Sequence, residues 1–219
     1  MADLTDELEI TTYEVNSFTQ KSVKSALSGV LKYYGCEELL LPIFTCINEL
    51  LVNAVKANYK NIYFESYNPR NTLSSRIPYE KALEIFRFEI SSEGARSFSR
   101  LAEEKGLKAV LRVSVKNDIM HVSVINNSIM TDIEKHNVKF KIETVGKLEQ
   151  MSDFFGIDND TANEGAGLGI VLIGMMLKSL GLGSENLSIC PEMDSTTATL
   201  TIPLNASTLD ACKIVSGGD

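Results

Sequence analysis

Residues 108–126 have the sequence KAVLRVSVKNDIMHVSVIN, and this stretch decides the class of fold. Apolar and polar side chains alternate on both sides of its centre, with apolar residues at Leu111, Val113, Val115, Met120, Val122 and Val124. Such alternation is typical of strands with one buried face, and the Asn117-Asp118 pair between the two runs is typical of a tight turn. The stretch therefore predicts a β-hairpin and, with it, antiparallel pairing in the sheet.

The segments on either side of the hairpin predict further helices and strands. Apolar residues at helical spacing predict helices over about 19–34, 40–57 and 168–180, with Gly35 and Gly181 as stop signals. Four other stretches have strand-like patterns: EITTYEV (9–15), NIYFESY (61–67), NLSIC (186–190) and TTATLTIPL (196–204). We therefore expect an α+β fold, a two-layer α/β sandwich with helices packed on one face of a mixed, mostly antiparallel sheet.

The length of the chain favours a single domain over residues 1–219, and two stretches stand outside its regular pattern. Residues 68–106 predict an inserted pair of short helices, the second ending at Gly106. This insertion is either an interaction surface or an addition without a role. Residues 127–164 are polar, and we expect one short helix there, near 145–154.

Composition and charge exclude several classes of function. The formal net charge of −8 disfavours nonspecific nucleic-acid binding, because phosphates attract basic surfaces. The four cysteines are widely spaced without a C-x-x-C pair, which indicates reduced thiols rather than a disulfide frame or a zinc site. The N-terminus lacks a basic-then-apolar signal, and the longest apolar run, 170–177, is shorter than a membrane span. We therefore expect a cytoplasmic protein that binds neither nucleic acid nor membranes.

The predicted helix over 40–57 contains the sequence NELLVNAVK (48–56), which places Glu49, Asn53 and Lys56 on one face. This face lies roughly opposite the apolar stripe, so a solvated polar surface is one interpretation. Asparagine is a poor helix former, however, and its place in mid-helix favours a functional interpretation. A carboxylate can activate a water molecule, and an amide oxygen one turn later can bind a magnesium ion that also holds phosphates. Lys56 would add positive charge near those phosphates.

Residues 163–174, NEGAGLGIVLIG, contain three glycines at alternate positions directly before the last predicted helix (Gly165, Gly167 and Gly169). No Gly-Lys-Ser/Thr follows them, and polar residues rather than a strand precede them, so neither a P-loop nor a dinucleotide-binding motif fits. Two interpretations remain open. One is close helix packing through small residues, and the other is an anion site at the free N–H groups of the helix start.

Together these stretches resemble the GHKL ATPase superfamily (the Bergerat fold), which includes DNA gyrase, heat-shock chaperone ATPases and sensor histidine kinases. ELLVNAVK is similar to the asparagine box of that family, E-x-x-x-N-A-x-K, and VSVINNSIM (122–130) stands where the first glycine box belongs. GAGLGI (165–170) is similar to the second glycine box, and STTATLTIPL (195–204) to the closing strand. The resemblance is greatest to the histidine-kinase and anti-sigma-factor-kinase branch, and it implies a domain that binds ATP with Mg²⁺.

The resemblance also implies roles for individual residues. Glu49 would be the catalytic base or water-orienting carboxylate, Asn53 the magnesium ligand, and Lys56 a residue near the phosphates. Residues 127–164 would form a lid over the nucleotide, and Thr196 would support adenine recognition from the last strand. The phosphate cradle at the helix start would consist of Gly165, Gly167, Leu168 and Gly169.

The sequence departs from the family on the side that would hold the base. The adenine-reading aspartate of the family corresponds to Asn126, and its two glycines correspond to Ser128 and Met130. Asn126 is in phase with Val122 and Val124, so we expect its side chain to point inward. An asparagine offers one acceptor and two donors where an aspartate offers only acceptors. The departure therefore predicts an altered affinity for adenine or an altered choice of base.

Three functions are compatible with these observations. The first is a stand-alone ATP-binding domain that acts in signalling as a protein kinase or slow ATPase. Its phosphoacceptor would belong to a partner protein, because His121 lies on a strand and His136 in the expected lid. The second is a degenerate, non-catalytic domain that serves as a protein-interaction or partner-switching module. The third is a related domain whose base preference has moved away from adenine. The sequence leaves open whether the chain forms a homodimer.

Overall fold

The computed structural model describes residues 4–66, 79–91, 94–146 and 167–216. Its five strands are β1 (Leu4–Thr12), β2 (Ala109–Lys116), β3 (Ile119–Asn126), β4 (Leu187–Pro191) and β5 (Thr196–Pro203). They form one sheet in the order β1-β2-β3-β5-β4, and every neighbouring pair is antiparallel. The described strands contain no parallel pair, so this sheet is antiparallel rather than mixed.

Helices account for most of the remaining described chain. Within that part, the seven α-helices are α1 (Ser17–Tyr33), α2 (Leu40–Ser66), α3 (Tyr79–Ser91), α4 (Gly94–Lys105), α5 (Asp132–Val145), α6 (Gly167–Ser179) and α7 (Ala206–Ser216). The α+β class is therefore confirmed, and the architecture agrees with a two-layer sandwich.

The predicted hairpin forms β2 and β3. Asn117 and Asp118 both have positive φ angles, 51° and 57°, as the type I′ turn between the strands requires. Val113 lies opposite Val122, and the side chains predicted to be buried on these strands are at most 1% exposed. The hairpin and its buried face are thus confirmed.

The two faces of the sheet differ in chemistry, which explains why the helices cover only one of them. The face shared by the buried residues of β2 and β3 belongs to the main hydrophobic core. On the opposite face, Arg112 Nε donates to Glu9 Oε2 at 3.0 Å, and the hydroxyl oxygens of Ser123 and Thr199 are 3.0 Å apart. A sheet with one apolar and one polar face packs helices on the apolar side alone.

Glycine ends three of the helices, as the sequence predicts. Gly35, Gly106 and Gly181 follow α1, α4 and α6, and their φ angles lie between 66° and 70°. A side chain at such a φ angle is strained, whereas glycine adopts it freely. At the other end of α1, the Asn16 side chain accepts hydrogen bonds from the backbone N–H groups of Phe18 and Thr19.

Helix α2 is longer than predicted, and the expected strand NIYFESY does not form. Residues 61–66 continue the helix instead, because Ile62 and Tyr63 are 1% and 4% exposed and extend its buried face. The segment Glu37–Glu65 has the length and composition of a helix that could cross a membrane. In this fold it packs against the sheet and other helices, and a buried core helix has the same composition. It therefore does not indicate a membrane protein.

The insertion contains the two predicted helices, α3 and α4. They pack against α2 through an aromatic cluster in which the ring of Tyr63 lies 5.4 Å from that of Phe86, and the ring of Phe98 lies 5.7 Å from that of Tyr59. Phe86 and Phe98 belong to the main hydrophobic core. Two residues suited to starting these helices, Pro78 at a first helical position and Ser92 as a cap, lie outside the described residues.

Two helices occur where the sequence predicted none. In the polar stretch 127–164 the short helix was expected near 145–154, but α5 ends at Val145. It begins with a capping box, in which Thr131 and Glu134 bond each other's backbone N–H groups. Residues 147–166 lie outside the described part. Helix α7 follows Asn205, whose Oδ1 accepts from the Thr208 backbone N–H at 3.1 Å.

Candidate functional site

Helices α2 and α6 bring together residues that are more than a hundred positions apart in the sequence. A methyl group on Gly169 would lie 2.7 Å from Glu49 Oε2 and 3.2 Å from Asn53 Nδ2. Both distances are shorter than ordinary van der Waals contacts. The acid and amide of NELLVNAVK therefore lie directly against the glycine-rich start of α6.

The glycines of α6 bear on the two interpretations that the sequence leaves open, helix packing and an anion site. Close packing accounts for Gly169 and also for Gly174, whose missing side chain leaves the space that Val145 of α5 occupies. At Gly169, however, the neighbours are polar side chains rather than an apolar helix face. Close packing therefore accounts for both glycines, and an anion site at the start of α6 stays a prediction.

The other residues predicted for the phosphate side have different surroundings. Gly167 is the first residue of α6, and Leu168 is 42% exposed. Lys56 is exposed, one turn beyond Asn53 on α2, while Glu49 and Asn53 are half-buried. Gly165 lies outside the described residues. The structure therefore brings together Glu49, Asn53 and Gly169, with Lys56 at the rim.

The two residues predicted for the base side are cross-strand neighbours. Asn126 ends β3 and lies directly opposite Thr196, the first residue of β5. Asn126 is 5% exposed and Thr196 is 8% exposed, so the inward direction expected of Asn126 is confirmed. The Thr196 hydroxyl donates to the backbone carbonyl of Ser128 at 2.9 Å.

Asn58 of α2 also lies on the base side, beside Asn126, and was not predicted. It is 1% exposed, and its Oδ1 accepts from the Ser128 hydroxyl at 3.0 Å and from Asn126 Nδ2 at 3.5 Å. Five residues separate it from Asn53, so it points to a different side of α2, toward β3. Like Asn53, Asn58 lies within α2, but the helix predicted from the sequence ends at residue 57, just before it.

Ser128 and Met130 follow β3, at the positions that correspond to two glycines in the resemblance described above. Ser128 is 5% exposed, and its hydroxyl joins Asn58 to Asn61, whose Nδ2 lies 3.4 Å away. Met130 lines a groove of about 370 Å³ between α5 and the edge strand β4. Ser128 therefore adds a polar group to the base side, whereas Met130 lies at the groove between α5 and β4.

An ion pair fastens α5 to α2 beside this cluster. Lys60 Nζ lies 2.6 Å from Glu134 Oε1, and the two side chains are 23% and 32% exposed. Burial alone would raise the pKa of the Glu134 carboxyl, but hydrogen bonds from Lys60 and Thr131 outweigh it and hold that pKa below its usual value. Glu134 therefore stays ionised and holds the start of the stretch that was predicted as a lid.

The donor set fits a magnesium ion that arrives with phosphates rather than one held by the protein alone. Within the described residues, no group of three or more His, Cys, Asp or Glu side chains is placed to hold a metal ion. Magnesium is commonly bound by one or two protein oxygens, with water and substrate phosphates supplying the others. The Asn53 amide oxygen is suited to that smaller share, and the Glu49 carboxylate lies beside the same glycine, Gly169.

These observations define an α+β two-layer sandwich with two polar clusters along α2, one at the start of α6 and one at the ends of β3 and β5. No protein-family model matches the chain, and no solved structure matches it. The chain is similar to an uncharacterized protein of Treponema pallidum (strain Nichols), with 28% identity over 205 residues. That alignment covers 90% of this chain and 38% of the relative, so the chain spans well under half of the relative's length.

Proposed function

We propose that this chain is a cytoplasmic ATP-binding domain of the histidine-kinase and anti-sigma-kinase type, which binds Mg-ATP and acts in signalling as a protein kinase or slow ATPase. The observation that carries the proposal is the approach of Glu49 and Asn53 to Gly169. The two motifs that resemble the GHKL superfamily lie far apart in the sequence, and a shared nucleotide site is a reason for them to meet.

In this proposal each part of the site has a separate task. The free N–H groups at the start of α6 hold phosphate oxygens, because a helix N-terminus favours negative charge. Asn53 would hold a magnesium ion, which would supply positive charge against the transferred phosphoryl group. Glu49 accepts a proton from the attacking water or hydroxyl group. Asn126 and Thr196 contact the base, and a partner protein supplies any phosphoacceptor.

Thermal unfolding with Mg-ATP, Mg-ADP and Mg-GTP at millimolar concentrations tests this proposal. A ligand present at a hundred times its Kd stabilises the folded state by about 2.7 kcal/mol. For a protein of this size that corresponds to roughly 5–10 °C in Tm. Asn53→Ala should lose most of this shift. Asn48→Ala is the matched control, because Asn48 lies on the same helix and bonds Gln20 of α1 instead. A wild-type protein whose Tm responds to none of the nucleotides contradicts the proposal.

A second candidate function is a non-catalytic interaction module that sequesters a partner protein. The observation that favours it is the buried contact among Asn126, Asn58 and Ser128, which fills the base side with the protein's own polar groups. A phosphate-release or phosphotransfer rate that collapses in Glu49→Ala would rule it out. Asn126→Asp separates the two candidates further, since a restored carboxylate should tighten ATP binding through a charge-assisted hydrogen bond. An unchanged or weaker response means that Asn126 does not contact the base.

A further inference from the structure

One buried polar atom of the base side has no hydrogen-bond partner among the described residues, namely Nδ2 of Asn58. The side chain that carries it is 1% exposed. Buried donors without an acceptor are rare in folded proteins, because the loss of their hydrogen bonds to water costs free energy that no new hydrogen bond offsets. An acceptor that lies outside the described residues, such as a ligand atom, accounts for this donor.

The hydrogen bonds around Asn58 fix the direction in which its amide points. Asn61 Nδ2 lies 3.4 Å from the Ser128 hydroxyl oxygen and can only donate to it. The Ser128 hydroxyl in turn donates to Asn58 Oδ1 at 3.0 Å, and Asn126 Nδ2 lies 3.5 Å from the same oxygen. Rotating the Asn58 amide by half a turn would place its Nδ2 against the Nδ2 of Asn126. Asn58 is therefore held with its Oδ1 toward Ser128 and Asn126, and its Nδ2 has no partner among the described residues.

We propose that Asn58 is a specificity-determining residue that reads the base, together with Asn126. The inference rests on the nucleotide-binding function proposed above. Asn58 Nδ2 donates to a ring nitrogen beside the 6-amino group of adenine, and Asn126 Oδ1 accepts from that amino group. The two amides thus supply one donor and one acceptor, whereas a carboxylate supplies acceptors alone. A 6-oxopurine presents an acceptor at position 6 and a donor at N1, the reverse of the adenine pattern, so the site selects against it.

The test compares Mg-ATP with its close analogues by calorimetry on the full chain. We expect Mg-ITP, which carries a 6-oxo group, to bind about tenfold more weakly than Mg-ATP, as is typical when buried polar groups are left unpaired. Either 1-deaza-ATP or 7-deaza-ATP, each of which lacks one ring acceptor beside the amino group, should show a comparable loss. These ligand changes leave the protein intact, so they test the inference even if a variant of Asn58 does not fold.

The variants Asn58→Leu and Asn48→Leu show which residue is responsible. Asn58→Leu should reduce the preference for ATP over ITP from about tenfold to less than about twofold. Asn48→Leu makes the same chemical change elsewhere on α2, where the side chain bonds Gln20 of α1, and should keep the preference. If Asn58 only held a structural water, its replacement would lower the affinity for both nucleotides equally.

The possible failures are distinguishable from each other. A wild-type protein that binds no nucleotide overturns the proposed function and this inference together. Tight ATP binding with equal affinity for ITP, or a preference that survives in Asn58→Leu, overturns the role of Asn58 and leaves nucleotide binding intact. Binding of both deaza analogues as tightly as ATP also overturns the role of Asn58.

Discussion

Gly169 and Gly174 lie on the same short helix, and each is glycine because a neighbouring side chain occupies the space of a methyl group. At Gly169 that neighbour is the polar pair Glu49 and Asn53, and at Gly174 it is Val145. A glycine inside a helix costs about 1 kcal/mol relative to alanine. Helix α6 bears this cost twice, once beside the candidate site and once in an apolar contact with α5. Alanine at each position in turn distinguishes the contact beside the candidate site from the apolar contact with α5.

Gly169→Ala should impair ligand binding without unfolding the protein. The added methyl group pushes the flexible Glu49 carboxylate and the Asn53 amide out of place, while the alanine gains about 1 kcal/mol of helix propensity. We expect a Tm within roughly 4 °C of wild type and a much smaller increase of Tm with Mg-ATP, both measured by thermal unfolding.

Gly174→Ala is the control on the same helix, and it should give the opposite result. Its methyl group would overlap with Val145, at a contact where both helices are held by packing, and such overpacking costs about 1–3 kcal/mol. The Tm should fall while the increase caused by Mg-ATP persists. An unaltered nucleotide response in Gly169→Ala would show that the contact with Glu49 and Asn53 serves packing alone.

At the scale of elements, α5 depends on one carboxylate at its start. Glu134 closes the capping box with Thr131 and pairs with Lys60 of α2. Because the pKa of Glu134 is lowered by folding, its contribution to stability is present above the unfolded-state value of about 4.3 and is lost as the pH falls through the folded-state value.

Glu134→Gln keeps the capping geometry but removes the charge, so it should make this contribution disappear. We expect a destabilisation of about 1 kcal/mol at pH 7, since the pair is only partly shielded from water. The difference in Tm between wild type and variant should shrink steadily as the pH is lowered below 4. A difference that stays constant from pH 7 to pH 3 would contradict the role of the Glu134 charge.

Elements that carry their own local signals were predictable, and those decided by tertiary contacts were not. The hairpin was predictable because Asn117-Asp118 and the alternating valines specify the turn and the buried face together. The prediction of a strand at NIYFESY was wrong. Its aromatic residues are typical of a strand, but here they lie on α2, where the insertion helices bury Tyr63. Helix α5 did carry a local signal, the T-x-x-E capping box beginning at Thr131. We predicted no helix there because the stretch is polar.

The candidate site was predictable to a similar extent. The mid-helix asparagine and the glycine run indicated which residues to examine, and the structure places Asn53 and Gly169 against each other. Asn58 was missed because its importance comes from facing Asn126 across the helix–sheet interface, 68 positions away. No spacing along α2 encodes that contact, so only the packing of α2 on the sheet reveals it.

At the scale of the whole molecule, the main hydrophobic core joins the sheet to the helices, including the inserted pair. Phe98 of α4 and Phe86 of α3 lie in the same buried cluster as Leu111 of β2 and Ile47 of α2. An insertion without a structural role would lie outside this cluster. We therefore expect the insertion to unfold together with the rest of the core.

Phe98→Ala should lower the stability of the entire protein in one transition. Phe98 is 8% exposed, and its ring stacks on Tyr59 of α2 with the two centroids 5.7 Å apart. Removing a buried phenylalanine costs about 3–5 kcal/mol, which for this size corresponds to roughly 6–20 °C in Tm. Phe88→Ala on α3 is the matched control, because Phe88 is 76% exposed and its loss should change stability by less than about 0.5 kcal/mol. Calorimetry that resolves two transitions, with only the earlier one shifted by Phe98→Ala, would mean that the insertion folds separately and that its aromatic cluster is a local contact.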